Sequence, residues 1–151
     1  MRPNFHDVAG LWDCDGSLRD IYVQNTEAVH WDRFDRLLSQ YEFTYTFDGM
    51  PLPFPGSRGA LANREGSHLL SIPLDGTVIN CHFFIAQQLE LDISAKDVAG
   101  PLEHERILAF VENLAEALEL PADITPENWE ESPFLTYSPA TKSWLMHEDP
   151  P

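Results

Sequence analysis

Apolar and polar residues alternate with a period of two in several stretches of the chain and recur at helical spacing in two others. Leu18–Val23, Glu42–Phe47, Leu69–Leu74, Thr77–Ile85 and Gln88–Ser94 show the period-two pattern of strands with one buried face. Between the first two lies a run in which Trp31, Phe34, Leu37, Leu38 and Tyr41 form one apolar stripe, while Asp32, Arg33, Asp35 and Arg36 face water. Asn25 or Thr26 is positioned to cap this first helix, which the pattern carries to Ser39 or Gln40. A second helix begins at Gly100-Pro101, with proline in the first turn, and ends before Leu120-Pro121. Its buried side is Ile107, Phe110, Val111, Leu114 and Leu118.

Turn chemistry connects these pieces. Asp75-Gly76 joins Leu69–Leu74 to Thr77–Ile85 as a two-residue hairpin, pairing Ile72 with Ile79, Leu70 with Cys81, Ser71 with Asn80 and Leu69 with His82. Pro73 lacks an amide donor, which places its side of the hairpin near a sheet edge. Asp48-Gly49 closes the strand before it. Residues 11–23 read as a hairpin turning at Asp15-Gly16-Ser17, with Asp13 opposite Arg19 and Leu11 opposite Ile21. Residues 49–66, rich in proline and glycine, read as a long irregular loop carrying Arg58 and Arg64 and packed down by Met50, Leu52, Phe54 and Leu61. From residue 121 the chain holds six prolines together with Trp129, Phe134, Leu135, Tyr137 and Trp144. That is too aromatic for a disordered tail, so an extended segment lying over the body is expected, with a short strand near Phe134–Tyr137.

The resulting expectation is a single α+β domain over residues 1–151: an antiparallel sheet of about five to six strands, two packed helices and an ordered extended C-terminal tail. Ile79, Cys81, Phe83, Ile107, Phe110, Val111 and Leu114 should share its core.

Composition narrows the function classes. No apolar run is long enough to span a bilayer, and the first residues lack the apolar centre of a secretory signal, so a cytoplasmic protein is expected. Cys14 and Cys81 are too few for a disulfide framework and read as buried thiols in a reducing compartment. The net charge is −16, unevenly spread: six Lys/Arg against eleven Asp/Glu in residues 1–75, three against fourteen in residues 76–151. A field of that sign repels nucleic acid and anionic membranes and speeds encounter with a basic protein; plain solubility is the simpler account of it. Glu103, Glu105, Glu112, Glu116 and Glu119 on the second helix, with Asp123, Glu127, Glu130 and Glu131 after it, form the expected binding surface for such a partner. Like charges at this spacing repel one another, and a basic partner would relieve that.

Motifs for catalysis are weak. Asp13-x-Asp15-Gly16-Ser17 resembles the first motif of haloacid dehalogenase-like phosphatases, which would make Asp13 the nucleophile and Asp15 the acid/base around a magnesium ion. That family needs a buried parallel strand before the motif and a helix after it, whereas here a strand follows at once. Cys81 and His82 are adjacent on a strand and point to opposite faces. Cys81 reads as core and His82 as half-buried, while His6, His30, His68, His104 and His147 read as surface groups. No metal-ligand spacing, nucleophile elbow or phosphate loop is present, so no cofactor, metal or catalytic residue is expected.

The segments Leu11–Val23, Val78–Phe84 and Ile124–Asn128 are similar to a family of small acidic bacterial proteins of unassigned function. The resemblance implies no reaction. It has the general character of immunity or antitoxin proteins, which act by binding a partner toxin. The leading expectation is therefore a non-enzymatic protein-binding module for a basic toxin-like protein. A structural or regulatory homodimer comes next, then a magnesium-dependent phosphohydrolase using Asp13 and Asp15.

Overall fold

In the computed structural model, which describes residues 1–147, the chain begins its sheet in the middle. Strand β1 (Leu18–Gln24) is the seed: it pairs on both sides, and its five interior residues are all buried. The chain then leaves through helix α1 (Ala28–Leu38) to the far edge and returns strand by strand. It passes through β2 (Thr44–Phe47), β3 (Met50–Pro51), α2 (Ser57–Ala62), β4 (His68–Pro73), β5 (Val78–Cys81) and β6 (Gln88–Ser94). A 3-10 turn, Ala95–Asp97, leads into α3 (Pro101–Leu118), which carries the chain across β1 to β7 (Ala122–Pro126), β8 (Leu135–Ser138) and β9 (Ser143–Met146). The order across the nine-stranded sheet is β3-β2-β4-β5-β6-β1-β7-β8-β9, and every strand pairing is antiparallel.

The α+β class therefore holds, with a larger sheet and three helices where two were expected. The extra strands come from two segments whose prolines hid them. Residues 49–66 are not an irregular loop: Asp48 and Gly49, both at positive φ, form a tight turn into β3, and α2 follows. Phe54 and Leu61 pack on the core as expected, whereas Met50 and Leu52 stay exposed. The C-terminal segment is not merely draped over the body; it supplies three strands. Its last residues, 148–151, lie outside the described residues.

The first expected hairpin does not form. Residues 8–13 make successive turns, with backbone bonds Leu11 N–H to Val8 O and Asp13 N–H to Gly10 O, so β1 has no preceding strand. The buried guanidinium of Arg19 explains why. Its five N–H groups donate to the carbonyls of Leu11, Gly10, Asp13 and Leu18 and to the Ser17 hydroxyl. Arg19 thus meets the backbone of residue 13 rather than its carboxylate, and it holds the lead-in segment onto the helix side of the sheet. Trp12 adds a second tie through its indole N–H to His104 Nδ1, 2.9 Å away.

The second hairpin forms in the expected register, Ile72 opposite Ile79, Leu70 opposite Cys81 and Ser71 opposite Asn80. Its pairing ends at Cys81, before Leu69 and His82 meet. Pro73 lies in an interior strand, but the pairing with β2 stops at Ser71, so the missing donor sits beyond the neighbour's end.

All seven predicted core residues are buried, around Trp31, Phe34 and Phe110. Helix α1 starts one or two residues later than expected, with Glu27 rather than Asn25 or Thr26 as its cap: the backbone N–H of Glu27 donates to His30 Nδ1. Cys14 is exposed, contrary to expectation, because the turn it occupies is on the surface. His68 and His104 are buried rather than surface groups. Among the described residues no helix is long and apolar enough to cross a membrane.

Candidate functional site

Strand alternation divides the sheet into two unlike sides. Arg19, Ile21 and Val23 of β1 face the helices, together with Ile79, Cys81, Leu89, Leu91, Ile93, Ile124 and Leu135 at matching positions of neighbouring strands. The opposite side carries no helix among the described residues. There a polar row crosses six strands in direct register: Thr44, Ser71, Asn80, Asp92, Asp20 and Thr125. A second row beside it contains Glu90, Tyr22, Asp123 and Thr136.

These side chains form separate hydrogen-bonded groups, around Asp92, Asp20 and Asp123. Ser71 Oγ donates to Asn80 Oδ1 (2.8 Å), and Asn80 Nδ2 donates to Asp92 Oδ1 (3.2 Å). His82 Nε2 donates to Asp92 Oδ2 (2.9 Å). Asp20 accepts from the Tyr22 hydroxyl (3.1 Å) and from the Asn128 backbone N–H (2.7 Å), which ties the crossing segment 127–133 onto this side. Glu130 anchors the same segment by accepting from the amides of Gln24 and Gln88. The bonds satisfy the buried groups but bring no full positive charge to most of the acids. Burial raises the pKa values of Asp20 and Glu90, reinforced for Asp20 by the charges of Asp92 and Glu127 and for Glu90 by those of Asp20 and Asp92. Burial likewise raises Asp123, against the Thr136 hydroxyl bond, and raises Tyr22. The Asp92 carboxylate raises the pKa of His82, and the His68 backbone adds to it.

The structure splits the nine acids expected to form one surface. Glu103, Glu105, Glu112, Glu116 and Glu119 lie on the outer side of α3 or at its end, on the helix side. Asp123 and Glu130 belong to the helix-free side, and Glu127 sits at its margin, accepting from the Leu18 N–H. Glu131 is exposed beside them.

The α3 acids are mostly engaged. Arg2 grips Glu112 through Nε and Nη2, each at 2.9 Å, and reaches Glu105 at 3.1 Å. The Trp144 indole N–H also donates to Glu112 (2.7 Å). Lys142 and the Tyr137 hydroxyl meet Glu116, and Arg33 meets Glu119. Burial works against the charge of Glu112, yet Arg2 and Trp144 hold its pKa below the ordinary value. Lys142 and Tyr137 do the same for Glu116. These acids fasten the N-terminus, the last hairpin and α1 to the body.

Asp13 and Asp15 sit in a surface turn. Asp15 accepts from the Ser17 N–H and hydroxyl, and its Oδ1 lies 3.7 Å from Arg19 Nη1. The parallel strand and following helix that the phosphatase motif requires do not occur around them. No group of three or more His, Cys, Asp or Glu side chains is placed to hold a metal ion among the described residues. Cys81 is core, and burial pushes its thiol up to about 12.

Sequence reading missed the cross-strand polar row, although its signal was present. Asp20 and Tyr22 interrupt an apolar strand at period-two positions, and Glu90 and Asp92 do so in β6. What it lacked was the strand order that brings them together. No family model, curated protein or solved structure matches the chain.

Proposed function

We propose that this chain is a non-enzymatic protein-binding module, an acidic inhibitor of immunity or antitoxin type, and that it engages a basic partner through the helix-free side of the sheet. One observation carries the reading: on that side Glu90 and Asp123 are half-buried and Glu130 is exposed, beside the buried Asp20 and Asp92, while no strand position facing it is Lys or Arg among the described residues. Carboxylates that are partly desolvated yet lack a cation gain most from an incoming lysine or arginine, which restores the missing counter-charge. The acids of α3 are weaker candidates because Arg2, Lys142 and Arg33 already supply theirs. Trp129 on the crossing segment is 46% exposed and offers the kind of aromatic anchor that interfaces favour.

The test is co-purification from the native host with two charge-reversed variants. Glu90→Lys with Glu130→Lys should abolish capture of a basic protein while circular dichroism stays native. Glu112→Lys with Glu116→Lys should retain capture even if it lowers stability. Capture lost only in the α3 variant would place the interaction on the helix instead, and a captured partner that is not basic would refute the electrostatic reading.

A further inference from the structure

A cavity of about 250 Å³ opens where the sheet ends beside α2, lined by Leu61, Asn63, Arg64, His68, His82 and Phe84, among others. Its walls are held in place by the fold. His68 Nε2–H donates to the Asn63 carbonyl (2.7 Å), so its Nδ1 accepts from the Tyr45 hydroxyl (2.6 Å). Gly66 passes so close to Phe47 and the Asp48 carboxylate that a Cβ there would collide with both. Asp48 in turn accepts from the Ser67 N–H (2.8 Å). On the opposite wall Phe83 has φ +56°, a conformation an aromatic residue rarely adopts. That kink buries Phe83 against Trp31 and Phe54 and leaves the next ring, Phe84, 53% exposed and stacked on His82 at 5.2 Å with planes 15° apart.

The charges around the cavity are unequal. Asp92 is already occupied by His82 and Asn80, and Asp48 by the Ser67 amide. Arg64 is exposed at the rim and meets no carboxylate within ion-pair distance among the described residues, although the chain carries 25 acids and nine basic residues. A guanidinium presents paired donors that match a carboxylate, and an exposed ring offers a stacking face. We propose that this cavity binds a small planar anion, an aromatic or conjugated carboxylate, with Arg64 taking the carboxylate and Phe84 the ring. The volume admits a single-ring molecule rather than a large cofactor. This site adjoins the proposed protein-binding surface through the His82–Asp92 bond, but its ligand is different and its test does not depend on that surface.

The experiment is a nuclear magnetic resonance titration of the full chain with benzoate. Benzamide serves as the uncharged control, acetate as the ringless control and inorganic phosphate as the competing anion. Saturable benzoate binding should shift the His82 and Phe84 resonances, and benzamide and acetate should each bind more weakly by about tenfold or more. Arg64→Gln and Phe84→Ala change exposed side chains, and each should weaken benzoate by a similar factor while the remaining spectrum stays native. Four results would overturn the proposal: no saturation, benzamide matching benzoate, phosphate binding more tightly than benzoate, or both variants binding as the natural chain does.

Discussion

The two sides of the sheet solve opposite problems with residues from the same strands. On the helix side Cys81, Leu91, Ile21 and Ile124 line up across neighbouring strands, and their burial under α1 and α3 supplies cohesion without direction. On the other side Asp20, Asp92 and Asn80 line up equally well, and cohesion comes from hydrogen bonds with defined partners. Acids occur on both sides but do different things. Those of α3 meet Arg2, Lys142 and Arg33 and act as clamps, whereas those on the helix-free side meet amides, hydroxyls and His82. A net charge of −16 therefore describes two unrelated electrostatic arrangements.

The sharpest way to break this contrast is to attack the apolar side. Phe110 is 1% exposed and packs edge-on against Tyr41, so Phe110→Ala should cost about 3–5 kcal/mol in a urea titration. A loss below about 1 kcal/mol would mean that α3 does not anchor the core. Next comes Arg19→Met, which leaves the carbonyls of Gly10, Leu11 and Asp13 without their donor. It should cost roughly 2–3 kcal/mol and speed amide exchange in residues 8–15 more than elsewhere.

The pH dependence should have opposite signs on the two sides. Glu90 is raised in the folded chain above the ordinary glutamate value of 4.5, so the stability it lends is full below that value and is lost as pH rises through the folded pKa. Glu90→Gln should therefore stabilise the protein at neutral pH, an advantage that vanishes on acidification. Glu112 is depressed, so its contribution is present above 4.5 and is lost as pH falls through the folded pKa. Glu112→Gln should destabilise at neutral pH, and that deficit should shrink in acid. Urea midpoints of both variants against pH check the signs, and two curves of the same sign would erase the distinction. The smallest effect is expected from Arg2→Ala, whose partly exposed pairs with Glu105 and Glu112 should contribute no more than about 1 kcal/mol by the same titration.

How much of this was legible before the fold was known depended on the range of the interaction. The Asp75-Gly76 hairpin and α3 rest on local turn chemistry and periodicity, and both appear with the expected register or face. The 11–14 segment misled because Leu11 and Trp12 look like a strand, yet Arg19 captures their backbone carbonyls, a contact that no local pattern announces. Prolines at 51, 53, 55, 121, 126, 133 and 139 masked two strand-bearing regions. Pro51 lies in the edge strand β3 and Pro126 ends β7, places where a missing N–H is tolerated. The α3 acids were readable as an acidic helix face, but their partners Arg2, Lys142 and Trp144 come from opposite ends of the chain. The rows joining Asp20, Asp92 and Asn80 needed the insertion of β1 between β6 and β7.

The central claim is that the helix-free acidic side is available to a basic ligand and the α3 acids are not. It is tested most directly by titrating a short oligolysine peptide into the isotope-labelled protein at low salt and mapping the amide shifts. The account predicts that the largest shifts fall on Asp20, Tyr22, Glu90, Asp92 and Asp123 and on the 127–131 segment, and that they fade at physiological salt as the Debye length shrinks to about 8 Å. Largest shifts along Glu103, Glu112 and Glu116, with the sheet side unmoved, would contradict it.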